Sequence, residues 1–218
     1  TMGAEFLYNW NTYGEFLNKL ERRGVGVNIV PFVGHNTVRI AVMGFEKKAP
    51  TQKEMERMKV LVDESFKDGV FSLSSGLTYA PSAFSKTREL VELCKVAANH
   101  DGFYTTHLRK DGLEEAITIG EEASLPVHIA HFAGPIFRSK KDVLRIVEEA
   151  RKRGVEITFD QYPYTAVGGF LHSNFPNSMV EGGIDKLIER LGDPKVRQRV
   201  KEYLKKDDLS LYLVAYCK

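Results

Sequence analysis

The chain has 218 residues, with 31 Lys and Arg against 29 Asp and Glu, and 43% of its side chains are hydrophobic. That is enough for one medium domain with a substantial core, and it excludes a disordered tail, a collagen-like chain and a disulfide scaffold. A net charge of +2 gives no electrostatic reason to expect nucleic acid or an anionic membrane as partner.

The opening "TMGAEFLYNWNTYGEF" has no basic stretch followed by an apolar core, so it does not read as a signal peptide. No apolar run approaches the ~20 residues that span a bilayer. Cys94 and Cys217 form no CxxC and require no oxidising compartment; Cys94 lies on an apolar helix face and reads as a buried thiol. A soluble, cytoplasmic protein is the expectation.

In chain order, a helical stretch closed by Gly24 is followed by the apolar run Val27–Val33, which predicts the first strand. Thr51-Gln-Lys-Glu54 then places a capping oxygen three residues before an acid and predicts a helix start. Strands are predicted at Val70–Ser74, Phe103–His107, Val127–His131 and Glu156–Asp160. Between them lie helices opening near Asp111–Glu114 and Ser139–Asp142, with Gly69, Gly102 and Gly154 as left-handed stops. A late apolar run, Leu211–Cys217, closes the sequence.

Such alternation means a parallel sheet with helical crossovers. An open nucleotide-binding sheet would show a glycine-rich phosphate loop after its first strand. Here that strand runs into "FVGHNTVRIAVMG", with no GxGxxG and no GxxxxGK[ST]. The polar residues sit instead at the C-terminal ends of several strands, where barrel enzymes carry their chemistry. The predicted fold is α/β, a partial (β/α)8 barrel, since five βα units fall short of eight and a whole barrel takes ~250 residues.

His107 ends "FYTTH" and His131 ends "VHIAH", 24 residues apart, one βα unit. Two imidazoles at the tops of adjacent strands could converge on one Zn²⁺, with a third ligand and an open position elsewhere. Satisfied histidines at strand ends are the plainer alternative. Strand alternation puts Val127, Ile129 and His131 on one face and turns His128 the other way, as a helix-side or packing residue. Arg109, two residues after His107, suits a carboxylate, which a guanidinium grips bidentately, or is a surface residue before the next helix. Tyr79 in "GLTYAPSAF" and Tyr162 and Tyr164 in "FDQYPYTAVGG" could offer phenols to a substrate oxygen or only pack loops. Asp160 could orient a histidine or be a cap. His35 reads as a loop hydrogen-bonder, and His100 and His172 have no assigned role.

The strings "VNIVPFVGHNTVRIAVMG", "GVFSLSSGLTYAPSAFS", "YTTHLRKD", "VHIAHFAG" and "FDQYPYTA", in this order, resemble the N-acyl-D-amino-acid deacylase (D-aminoacylase) family of the amidohydrolase superfamily, from about Trp10 to about Arg199. The resemblance implies a metal-dependent barrel enzyme that hydrolyses the amide of N-acyl-D-amino acids. It implies zinc as cofactor and His107 and His131 as the family's two later metal ligands. It implies Tyr79, Arg109, Tyr162 and Tyr164 as residues around the acyl group and the substrate carboxylate. The small-molecule N-acyl-D-amino acid is the implied partner.

The sequence departs from that pattern in five places. The family's early His-x-His and its metal-binding cysteine have no match before Val27, and its acid-base aspartate has none after Asp160, so no catalytic residue is assigned. Ala133 stands where a lysine is usual, and Val167 where a serine is. The expectation is that residues 1–218 form a single barrel segment, about strands three to seven, lacking the first two and the last. It would be active only within a complete barrel, and alone it would self-associate or pair with a complementing fragment. Two alternatives stay open: a catalytically silent segment serving binding or assembly, and an amidohydrolase acting on a cyclic amide.

Overall fold

A computed structural model describes residues 9–132, 140–163 and 175–206. The predicted run Leu211–Cys217, together with Tyr164, Val167, Ala133 and His172, lies outside them. Helix α1 (Tyr13–Arg23) leads to strand β1 (Phe32–Gly34). Then come α2 (His35–Met43), α3 (Gln52–Lys67), β2 (Ser72–Gly76), α4 (Thr87–Ala98) and β3 (Phe103–His107). They are followed by α5 (Leu113–Ala123), β4 (Val127–Ile129), α6 (Lys140–Lys152), β5 (Ile157–Phe159), α7 (Ile184–Gly192) and α8 (Pro194–Lys206).

The five strands form one parallel sheet in the order β1-β2-β3-β4-β5. A doubly wound sheet reverses its strand order at a switch point; this one never does. Each crossover helix packs on the next, α2 on α3, α3 on α4, α4 on α5 and α5 on α6, which is the winding of a barrel wall. Val33, Leu73, Tyr104, Val127 and Ile157 share one register row, and all lie in the core between sheet and helices. The next row, Gly34, Ser74, Thr105, His128 and Thr158, belongs to the opposite face.

Several elements differ from expectation. The first strand is Phe32–Gly34, not Val27–Val33; Val27 is 73% exposed and Val30 53%. Among the described residues, Phe32–Gly34 pairs with Ser72–Ser74, and just before it the Pro31 carbonyl accepts from Phe71 N at 2.9 Å. Two helices rather than one join β1 to β2, because Gly44 takes a positive φ of 65° and ends α2. Thr51 and Glu54 form the predicted capping box, and Thr12 and Glu15 form another. Asp111 is not a cap: it has φ 55°, and Gly112 holds the cap position of α5. Gly24, Gly69 and Gly154 have positive φ, but Gly102 does not; there it is Asp101 that turns, at φ 54°. Gly102 is needed for space, since a Cβ would stand 2.5 Å from the Phe66 ring.

Candidate functional site

The histidine pair forms at the C-terminal ends of β3 and β4. His107 closes β3 on the face of Thr105, beside Gly76 of β2. His131 comes to it by a different route from the one alternation predicts. Strand β4 stops at Ile129, and Val127 and Ile129 are buried against the helices. His131 lies beyond the strand in a turn with φ 40°. The turn cancels the alternation and aims the imidazole across at His107, with His107 Nδ1 2.8 Å from His131 Nε2. The same correction moves His128: it faces away from the helices, on the side of Thr105, and bonds Thr158 Oγ1 at 2.8 Å and Asp160 Oδ2 at 2.9 Å.

Burial, and then the adjoining His131, lower the His107 pKa to about 4. The ring is therefore neutral near pH 7, as an imidazole must be to donate a lone pair to a metal. Two facing imidazole nitrogens fit two places in a zinc shell. Among the described residues no three His, Cys, Asp or Glu side chains converge as a metal-binding group.

Tyr79 sits against the pair, its ring centroid 5.3 Å from that of His107. Gly76 makes room for it, because a Cβ there would stand 2.9 Å from Tyr79 Cδ2. The Tyr79 loop is pinned from α2: Asn36 Oδ1 accepts from the Ser82 amide at 2.7 Å, and His35 Nδ1 lies 2.6 Å from Ser82 Oγ. The Tyr162 ring lies 6.3 Å from His131.

Arg109 is committed elsewhere. Its Nε donates to Glu115 Oε2 at 2.7 Å, a terminal nitrogen donates to Glu115 Oε1, and the fork also reaches the Ser85 carbonyl at 3.2 and 3.3 Å. Its ion pair raises its pKa.

Beside Tyr79 opens a cavity of about 410 Å³. Its walls include Phe45, Ala80, Val180 and Ile184, with Thr78 and Asn177 among the polar groups. The Thr78 hydroxyl is buried and has no hydrogen-bond partner among the described residues.

Sequence reasoning missed Glu89. His35 belongs to the first turn of α2, not to a loop, and both it and Arg39 are wholly buried. Glu89 lies 2.9 Å from His35 Nε2 and accepts from Arg39 through both oxygens at 2.6 Å. A signal existed: Glu89 is one turn before the buried Leu93, on the apolar stripe of α4, and an acid there needs a buried base.

The fold class is α/β, five parallel strands wound in sequence and alternating with helices, and over about 70% of this chain it matches part of the barrel of solved D-aminoacylase structures. The chain is homologous to the D-aminoacylase/N-acyl-D-amino-acid deacylase family of amidohydrolases, at about 30% identity over about 70% of its length. It is 34% identical over 168 residues to a D-aminoacylase of Alcaligenes xylosoxydans xylosoxydans, a match covering 73% of this chain and 34% of the relative. An N-acyl-D-aspartate deacylase from the same organism is 31% identical over 180 residues, covering 78% and 36% respectively. The chain thus spans about a third of the length of the curated relatives it matches. No protein-family model matches it.

Among solved structures, that of a D-aminoacylase described as defining a novel subset of amidohydrolases superposes with a TM-score of 0.66. The match is 33% identical and covers 70% of this chain and 34% of that one. An N-acyl-D-glutamate deacylase of Bordetella bronchiseptica, solved with zinc and a phosphonate mimic of the tetrahedral intermediate, gives 0.66 at 28% identity, with the same coverage. Another D-aminoacylase structure was analysed for its binuclear metal center.

Proposed function

We propose that this chain carries two zinc ligands, His107 and His131, and part of the substrate cradle of an enzyme that hydrolyses N-acyl-D-amino acids to a carboxylate and a D-amino acid. In this reading residues 1–218 correspond to about strands three to seven of a (β/α)8 barrel, and further ligands and the acid-base group come from outside the described residues. The reading is carried by the two imidazole nitrogens facing each other at 2.8 Å at the ends of adjacent strands, in a chain homologous to deacylases.

The roles follow from chemistry. When bound, zinc supplies Lewis-acid polarisation of the amide carbonyl. His107 and His131 hold and orient it as neutral donors. The Tyr79 and Tyr162 phenols donate to the acyl oxygen or the carboxylate as negative charge develops, with Tyr164 assigned alongside by sequence. The cavity beside Tyr79 takes the apolar part of the substrate. Arg109 is assigned to the substrate carboxylate, which must then compete with Glu115 for the same guanidinium.

Calorimetric titration of the purified chain with Zn²⁺ tests the metal role. Two ligands are fewer than a stable zinc site uses, so wild type should bind weakly if at all, and His107→Ala and His131→Ala should each remove whatever binding it shows. Replacing the matching third of the Alcaligenes D-aminoacylase with this chain tests the activity. Turnover of N-acetyl-D-amino acids by the chimera, lost on His107→Ala, supports the proposal; a folded, zinc-loaded chimera without turnover speaks for the silent binding or assembly module.

A further inference from the structure

We propose that Asp160 is a positioning residue, whose carboxylate ties the turn carrying His131 to the imidazole of His128 and so holds the His131 ring against His107. The proposal rests on reading His107 and His131 as the site pair. It is carried by one carboxylate with two directed contacts. Asp160 Oδ1 accepts from the His131 backbone amide at 2.6 Å, and Asp160 Oδ2 lies 2.9 Å from His128 Nε2.

The need for such a tie is local. His131 is a non-glycine residue at φ 40°, in the left-handed region that costs a side-chain-bearing residue on the order of 1 kcal/mol or more. A turn of that kind persists only when its surroundings over-determine it. Here the amide of the strained residue meets a carboxylate, a charge-assisted bond roughly twice as strong as a neutral one. The carboxylate cannot swing away, because His128 holds its other oxygen and is itself held by Thr158 Oγ1 at 2.8 Å. The backbone is fixed separately: Asp160 N donates to Ile129 O at 3.2 Å, and Phe132 N donates to Asp160 O at 2.8 Å. Removing the carboxylate therefore removes the tie and leaves the strand pairing. Asp160 also stands two residues before Tyr162, so one side chain couples the β4 turn to the β5 loop, both of which face the site.

The side chain of Asp160 is 59% exposed, which makes substitution at this position compatible with folding. The test labels histidine with ¹⁵N in the purified chain. In wild type, His107 Nδ1 and His131 Nε2 should appear as one protonated and one bare nitrogen. Asp160→Ala should return both rings to averaged tautomers while the chain stays folded. Asp160→Asn, which keeps an oxygen for the His131 amide, should preserve the wild-type pattern. His128→Phe is the second variant, should Asp160→Ala not fold; it should shift the His131 amide resonance and loosen the pair. Co²⁺ binding, followed by visible absorbance, should weaken about 10–100-fold in Asp160→Ala. A wild-type tautomer pattern in Asp160→Ala, an unmoved His131 amide in His128→Phe, or equal Co²⁺ affinity would each overturn the proposal. If wild type binds no Co²⁺ while the nitrogen signals change as expected, the metal reading fails and the tie stands.

Discussion

At Glu89, one carboxylate meets two wholly buried groups, His35 and Arg39. Arg39 is wholly enclosed, and among the described residues it reaches, besides Glu89, the Lys48 carbonyl at 2.5 Å, while its Nε has no partner there. Breaking a buried ion pair from one side costs about 3–5 kcal/mol, because the surviving charge stays buried without a partner. Glu89→Gln should therefore lower unfolding stability by about that amount in urea titrations. Burial alone would raise the Glu89 pKa, but the hydrogen bonds and charges of His35 and Arg39 outweigh it and hold the value below that of an ordinary glutamate. A group with a lowered folded pKa adds stability above its unfolded pKa and loses it as pH falls through the folded one. The chain should accordingly lose stability as pH drops below about 4.5. Urea midpoints measured from pH 6 to pH 3 should fall less steeply in Glu89→Gln; parallel curves would show that Glu89 does not carry the acid sensitivity.

Helix α5 packs tightly against β4 at Gly120. A Cβ on Gly120 would stand 2.6 Å from Val127 Cγ2 and 3.1 Å from Val155 Cγ1. Alanine gains up to ~1 kcal/mol of helix propensity over glycine, while overpacking a tight core contact costs about 1–3 kcal/mol. The stiff, buried valine at β4 makes the second effect win. Gly120→Ala should lower the melting temperature, whereas Thr51→Ala, which removes the capping oxygen of α3, should cost about 1 kcal/mol. Both are measurable by thermal denaturation. The Thr51 cap was legible because its signal is local: one oxygen, one acid and a spacing of three. The sequential wall was legible from the alternation of apolar runs with capped helices. The length of β1 was not, because Val27–Val30 have strand composition and only a partner decides whether they pair. His131 comes beside His107 by a route that strand alternation did not predict. Counting alternate residues assumes that the strand continues, and β4 had already ended. His128 was misplaced by the same count, and Glu89 was overlooked because an acid inside a helix usually faces water.

The whole sheet has two ends among the described residues, β1 and β5, each offering one unpaired side of backbone. Beside β1 lie the exposed Val25, Val27, Ile29 and Val30, and at β5 the exposed Phe159. Edges of this kind recruit other strands unless charge or proline protects them. Purified chain should therefore show concentration-dependent mass by light scattering, and Val30→Lys should shift it toward monomer; a monomer at all concentrations would count against edge pairing. No helix among the described residues is long and apolar enough to cross a membrane. The two faces of the sheet divide the labour of the molecule. Val33, Leu73, Tyr104, Val127 and Ile157 point into the helices, while His107, His128, Asp160 and Tyr79 occupy the other face or the turns above it. Stability and chemistry are thus written in different residues. If the proposed zinc reading holds, a library of random substitutions should separate into two nearly disjoint groups: variants that melt early yet keep metal affinity, and variants that melt normally yet have lost it. On that reading, the face that carries the site can change its chemistry while the face packed on the helices keeps the chain folded.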